Sequence, residues 1–103
     1  MHIYVAGPLT DCGQDAIDAA IDAAQTLREL GHYPFVPHVH TGWDERHPAS
    51  WDTWMDWCLC WLSRCDALLR LPGASPGADR EVEYASYDLR IPVYHSLKDV
   101  PPA

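Results

Sequence analysis

Apolar and polar positions fall into blocks along this chain, and each block carries its own period. Residues 2–6 (HIYVA) are apolar enough for the centre of a sheet, and Gly7 and Pro8 close the run. Leu9 to Gly13 reads as a polar loop. From Gln14 to Leu30, the residues Ile17, Ala20, Ile21, Ala24, Leu27 and Leu30 recur at three- and four-residue steps, which predicts an amphipathic helix. Asp15, Asp18, Asp22 and Glu29 take its wet side, and Gly31 supplies the stop. Tyr33 to Val39 predicts a second strand, kept short or at an edge by Pro34 and Pro37. HTGWDERHP, residues 40–48, reads as a loop. Ser50 is a fitting N-cap for a helix from Trp51 to Cys65. Trp51, Trp54, Met55, Cys58, Leu59 and Leu62 form its sheet-facing stripe, with Trp57 and Trp61 on another flank.

The stretch from Cys65 to His95 completes the pattern. Asp66 to Leu71 is a short apolar strand, PGASPG (72–77) a loop, Ala78 to Leu89 a helix, and IPVYH (91–95) a further strand. Such a βαβ unit favours a parallel sheet. The alternation over residues 1–103 predicts one α/β domain, a Rossmann/flavodoxin-like three-layer sandwich with a four- to five-stranded, mostly parallel sheet. Residues 98–103 read as a loose tail. Ligands of such sheets sit at the carboxyl ends of the strands. That points to the PGASPG loop and to Glu81, expected in the first turn of the following helix. The tryptophan-rich helix is apolar around much of its surface, so part of it is expected to face a second subunit in a homo-oligomer.

Charge narrows the possible partners. Fifteen acidic against seven basic residues give a net charge of −8, and Lys98 is the single lysine. No basic stripe exists for nucleic acid, although helix N-terminal amides can hold a small anion without lysine. No apolar run reaches the length of a membrane span and no signal peptide opens the sequence, so a soluble cytoplasmic domain is expected. Cys12, Cys58, Cys60 and Cys65 are unevenly spaced and do not suggest a disulfide framework. His38, His40 and His47 with Cys58 and Cys60 lack the paired spacing of structural zinc sites, so no metal and no cofactor are expected. The segment from His38 to Pro48 reads as a pocket wall or lid. Trp43 and Trp51 offer faces on which a base can stack, and Trp51 alternatively packs against the sheet.

Three segments together resemble the nucleoside 2-deoxyribosyltransferase superfamily, including its 2′-deoxynucleoside 5′-monophosphate N-glycosidase branch and small bacterial and phage relatives. They are IYVAGP (3–8), WLSRCDALLRL (61–71) and SPGADREVEYA (75–85). The resemblance implies that Glu81 is a nucleophile at an N-glycosidic bond. The chemistry is coherent: breaking that bond builds positive charge on the sugar, which a nearby carboxylate stabilises and then traps. A first-turn Glu should stay ionised under the helix dipole; equally, Asp79, Glu81 and Glu83 are ordinary acids of a helix start.

The resemblance further implies that Tyr4 stands beside the nucleophile, where it otherwise packs as a sheet aromatic. It implies that Ser75 and the amides near Gly77 hold a 5′-phosphate, that Gly7 and Pro8 line the base or sugar pocket, and that a neighbouring subunit completes the site. One departure stands out. Eight residues before Asp66, where the nucleotide hydrolases carry an acid, this chain has Cys58. Asp52 and Asp56 are nearby acids on one helix face, with Asp56 a candidate substrate contact, and Asp66 reads as a strand cap. The expected ligand is a small nucleoside or nucleotide, with a lean towards 2′-deoxy sugars. A non-catalytic nucleotide sensor on the same fold and a hydrolase of a dinucleotide such as NAD are the competing readings.

Overall fold

The computed structural model describes residues 1–9 and 13–103. Four strands, β1 (His2–Ala6), β2 (Tyr33–Phe35), β3 (Ala67–Arg70) and β4 (Val93–Tyr94), form one parallel sheet in the order β2-β1-β3-β4. Tyr4 of β1 sits opposite Phe35 on one side and Leu68 on the other, while Leu69 pairs with Tyr94. The helices are α1 (Gln14–Glu29), α2 (Thr41–Arg46), α3 (Trp51–Leu62) and α4 (Pro76–Glu83), the last continuing as a π-helical segment over Tyr84–Leu89.

Strand alternation sorts the core into two layers. Ile3, Val5, Ala67 and Leu69 point to one face, where Ala20, Ala23 and Leu27 of α1 cover them. Tyr4, Ala6 and Leu68 point to the other, against Cys58 and Leu62 of α3 and Ala78 and Ala85 from the last helical stretch. The result is a three-layer α/β sandwich. Because the connection after β1 packs on the first face and that after β3 on the second, a crevice opens between their carboxyl ends. Among the described residues, no helix is long and apolar enough to cross a membrane.

Several boundaries differ from expectation. β2 ends at Phe35, because Pro37 opens a 3-10 turn through His40. The presumed loop that follows contains α2. α3 stops at Leu62, and of its expected sheet-facing stripe only Met55, Cys58 and Leu62 are buried, with Trp51 44% exposed. Its N-cap is Ser50, whose hydroxyl accepts the Thr53 amide at 3.1 Å. α1 is rolled so that its alanines meet the sheet closely, leaving Ile21 exposed.

The C-terminal segment is docked, not loose. Val100 is buried in the α1 layer, the Ala103 amide donates to Leu30 O at 2.9 Å, and buried His32 hydrogen-bonds Pro101 O at 2.6 Å. Deleting the two Val100 methyls therefore removes about 1.6 kcal/mol of apolar burial, at about 0.8 kcal/mol per carbon. Val100→Ala is expected to lower the thermal midpoint by several degrees; an unchanged midpoint would show that the segment contributes nothing to stability.

Candidate active site

Two glycines let the strand ends approach. A Cβ on Gly7 would lie 3.1 Å from Leu71 Cβ, just where β1 and β3 give way to their loops. Gly73 adopts φ +114°, and a Cβ there would come within 2.7 Å of Pro8 Cγ, so the loop after β3 can fold over Pro8 only as glycine. Arg70 holds that loop from beneath. Its guanidinium donates to Leu71 O, to Gly73 O at 2.9 Å and to Asp79 Oδ1 at 3.1 Å. The chain then enters α4 with Pro76 at its first position and Ser75 as N-cap, the Ser75 hydroxyl accepting the Ala78 amide at 3.1 Å.

α4 thus begins two residues earlier than expected, and Glu81 stands in its second turn. The dipole acts on the first turn and does not govern this carboxyl. Burial does. Glu81 is 5% exposed, and desolvation pushes its pKa up to about 7, against the counter-pull of the Tyr4 hydrogen bond and the Arg70 charge. The expectation of a carboxylate held ionised by the helix start is corrected accordingly. The Tyr4 hydroxyl donates to Glu81 Oε2 from the inner face of β1. Tyr4 is fully buried, stacks 5.7 Å from Phe35, and its phenol is pushed far up by that burial and by the neighbouring carboxyl.

Tyr4 and Glu81 open on a cavity of about 340 Å³, with Cys58 and Met55 of α3 on one wall and His38 and Pro8 on another. Gly7, Ser75, Gly77 and Trp51 line it as well. A Cβ on Gly77 would sit 3.2 Å from Met55 Cε, so α4 approaches α3 closely at the cavity floor. Burial raises the Cys58 thiol to about 11, while the thiol engages Tyr4. His38, 1% exposed, hydrogen-bonds Pro8 O through Nε2 at 3.0 Å, and its buried Nδ1 has no partner among the described residues. Burial lowers its pKa, so the ring is a neutral strut under the β1 loop. Beside this cavity lies a second of about 410 Å³ between α2 and α3, sharing Leu9, Pro37, Trp51, Trp54 and Cys58 with the first.

The structure therefore gathers Tyr4, Gly7, Pro8, Ser75, Gly77 and Glu81 around one space and leaves two candidates outside it. Trp43 packs edge-on against Trp54 at 4.8 Å and Trp57 at 5.5 Å and does not border the cavity. Asp56 is exposed on the flank of α3, because Met55 and Cys58 take the inward positions. Asp66 sits at the opposite end of the sheet. It accepts the His2 amide at 2.8 Å, which holds its carboxyl below the usual range and joins β3 to β1. Among the described residues no cluster of three metal-ligating side chains forms. Arg70 and the strut role of His38 escaped the sequence reading. A charge ending the apolar run ALLR was the available signal for the first, and none existed for the second.

Residues 1–95 match the family described as Domain of unknown function (DUF4406). No curated protein matches the sequence. Among solved structures, a 2-deoxyribosyltransferase from the psychrotolerant bacterium Bacillus psychrosaccharolyticus is similar, with a TM-score of 0.66 and 26% identity over 90% of this chain and 69% of that one. With its all-parallel sheet and its crevice at the ends of β1 and β3, the chain belongs to the DUF4406 family and fits the nucleoside 2-deoxyribosyltransferase-like superfamily.

Proposed function

We propose that this protein cleaves or transfers at the N-glycosidic bond of a nucleoside or nucleotide, with Glu81 as nucleophile. The observation that carries the reading is a buried carboxyl hydrogen-bonded by a buried tyrosine at the strand-end crevice. Likeness to a deoxyribosyltransferase supports glycosyl transfer as the class of chemistry. In this mechanism a Glu81 carboxylate oxygen attacks the anomeric carbon as the base departs, and water or a second base then takes the sugar from the glycosyl ester. Tyr4 aims the attacking carboxylate and keeps its own proton. Gly7 and Pro8 border the sugar or base, and a 5′-phosphate fits at the start of α4 beside Ser75 and Gly77. A homo-oligomer covering exposed aromatic residues such as Trp61 and Tyr33 belongs to the same proposal.

The test is an incubation with nucleosides, deoxynucleotides and NAD, following free base by chromatography. Glu81→Gln is expected to abolish release, by a thousandfold or more, while binding persists in a thermal-shift assay. An unchanged rate would remove Glu81 from the mechanism. Cys58 in place of an acid favours the sensor reading, and a sensor would leave every bound nucleotide intact.

Ionisation of Glu81 makes two further outcomes measurable. A nucleophile with pKa about 7 gives a kcat/KM that falls about tenfold per pH unit on the acid side. Tyr4→Phe removes a hydrogen bond that lowers this pKa, so the acid limb should move to higher pH; a limb that stays in place would deny the coupling. Stability carries the opposite sign to an ordinary acid. The folded pKa of about 7 lies above the ordinary 4.5, so the contribution of Glu81 is fully present below pH 4.5 and is lost as pH rises through 7. At pH 8 the buried carboxylate costs about 3 kcal/mol. Glu81→Gln should therefore raise the urea midpoint at pH 8, with the gain fading towards pH 4.5; a midpoint shift independent of pH would contradict it.

A further inference from the structure

A neutral base leaving a sugar departs as an anion and needs a proton. Among the described residues lining the Glu81 cavity, Glu81 is the only carboxyl, and the strongest other proton donors are engaged or held back by burial. The Tyr4 hydroxyl is given to Glu81, and the Cys58 thiol beside it is raised to about 11. Neutral His38 hydrogen-bonds Pro8 O through one nitrogen, and the other is buried. The indole N–H of Trp54 goes to Asp44 Oδ1 at 2.5 Å. Asp52 and Asp56, the nearest acids on α3, are exposed and do not border the cavity.

The adjoining cavity has a different character. Trp51, Trp54, Trp57 and His40 supply aromatic wall, and Asp44 and Glu45 supply carboxylates. Asp44 Oδ1 also accepts the Ala49 amide at 3.2 Å, so this oxygen takes two N–H donors and holds the carboxyl in place beside the tryptophans. Aromatic faces beside carboxylates attract a flat cation through cation–π and Coulomb attraction. The net charge of −8 acts in the same direction.

We infer that the leaving base of the substrate is a positively charged, quaternised heterocycle seated between the α2–α3 tryptophans and the Asp44 and Glu45 carboxylates. The inference rests on the N-glycosidic reading and names its substrate class. The electrons balance without an acid. Glu81 Oε bonds the anomeric carbon, the C–N bond breaks, its electron pair cancels the ring charge, and a neutral heterocycle leaves with no proton taken up.

The experiment compares 7-methyl-2′-deoxyguanosine with 2′-deoxyguanosine, and adds nicotinamide riboside as a pyridinium substrate, with spontaneous base release subtracted. The cationic nucleosides are expected to show kcat/KM at least about a hundredfold above the neutral one, the size of a general acid's contribution where the leaving group needs one. Asp44→Asn and Glu45→Gln, both at exposed positions, should narrow that ratio about tenfold. Calorimetry on the Glu81→Gln protein supplies a readout without turnover: 1-methylnicotinamide should bind at least about tenfold more tightly than nicotinamide. Equal turnover of neutral and cationic nucleosides, equal affinity for the two nicotinamides, or a ratio indifferent to both variants overturns the inference and leaves the glycosidic reading standing. Silence on every nucleoside overturns that reading and the leaving-group chemistry with it.

Discussion

A carboxyl buried against a tyrosine hydroxyl organises this protein. Glu81 is 5% exposed in a small domain that has few places to hide a charge. Its burial is possible because Tyr4, itself wholly inside, offers a hydroxyl from the central strand, and because the Arg70 guanidinium lies near enough to oppose the desolvation. The surroundings follow from that arrangement. Gly7 and Gly73 clear the strand ends, Ser75 starts α4 at the register that turns Glu81 inward, and Arg70 holds the intervening loop to Asp79.

The helices on the Tyr4 face have separate tasks. α4 presents the carboxyl, and α3 presents an uncharged wall of Met55 and Cys58 that adds to the desolvation of Glu81. Polar and aromatic groups gather instead beyond Trp54, where α2 packs. Division of one crevice into a chamber around Glu81 and an aromatic, acidic chamber beside it suits the proposed sugar chemistry on one side and base recognition on the other.

Periodicity was a good guide wherever one face of an element is buried and the other wet. α1 was legible for that reason, whereas β1 and β3, buried on both faces, were legible as short continuous apolar runs, and the parallel α/β order followed because helix-period sequence separates successive strands. It was a poor guide where aromatic residues are dense. Trp51 and Trp54 fit a sheet-facing stripe by spacing, yet they line cavities, because Met55, Cys58 and Leu62 suffice to cover the small sheet. Trp43 has base-stacking chemistry but spends its ring on Trp54 and Trp57. VPPA carries turn residues and still docks, because one valine reaches an uncovered part of the α1 layer.

What the sequence by itself determined is the chemistry available and its order along the chain: an apolar strand with a tyrosine, a glycine turn, and a Ser-Pro-Gly helix start followed by a glutamate. Those follow from local propensity and spacing, which act over a few residues. Tertiary structure alone decided that Tyr4 and Glu81, 77 positions apart, share a hydrogen bond. It also decided that burial pushes the Glu81 carboxyl up to about 7 and that Asp56 is left outside. Desolvation and convergence depend on which elements meet across the sheet, and no local period in the chain encodes them.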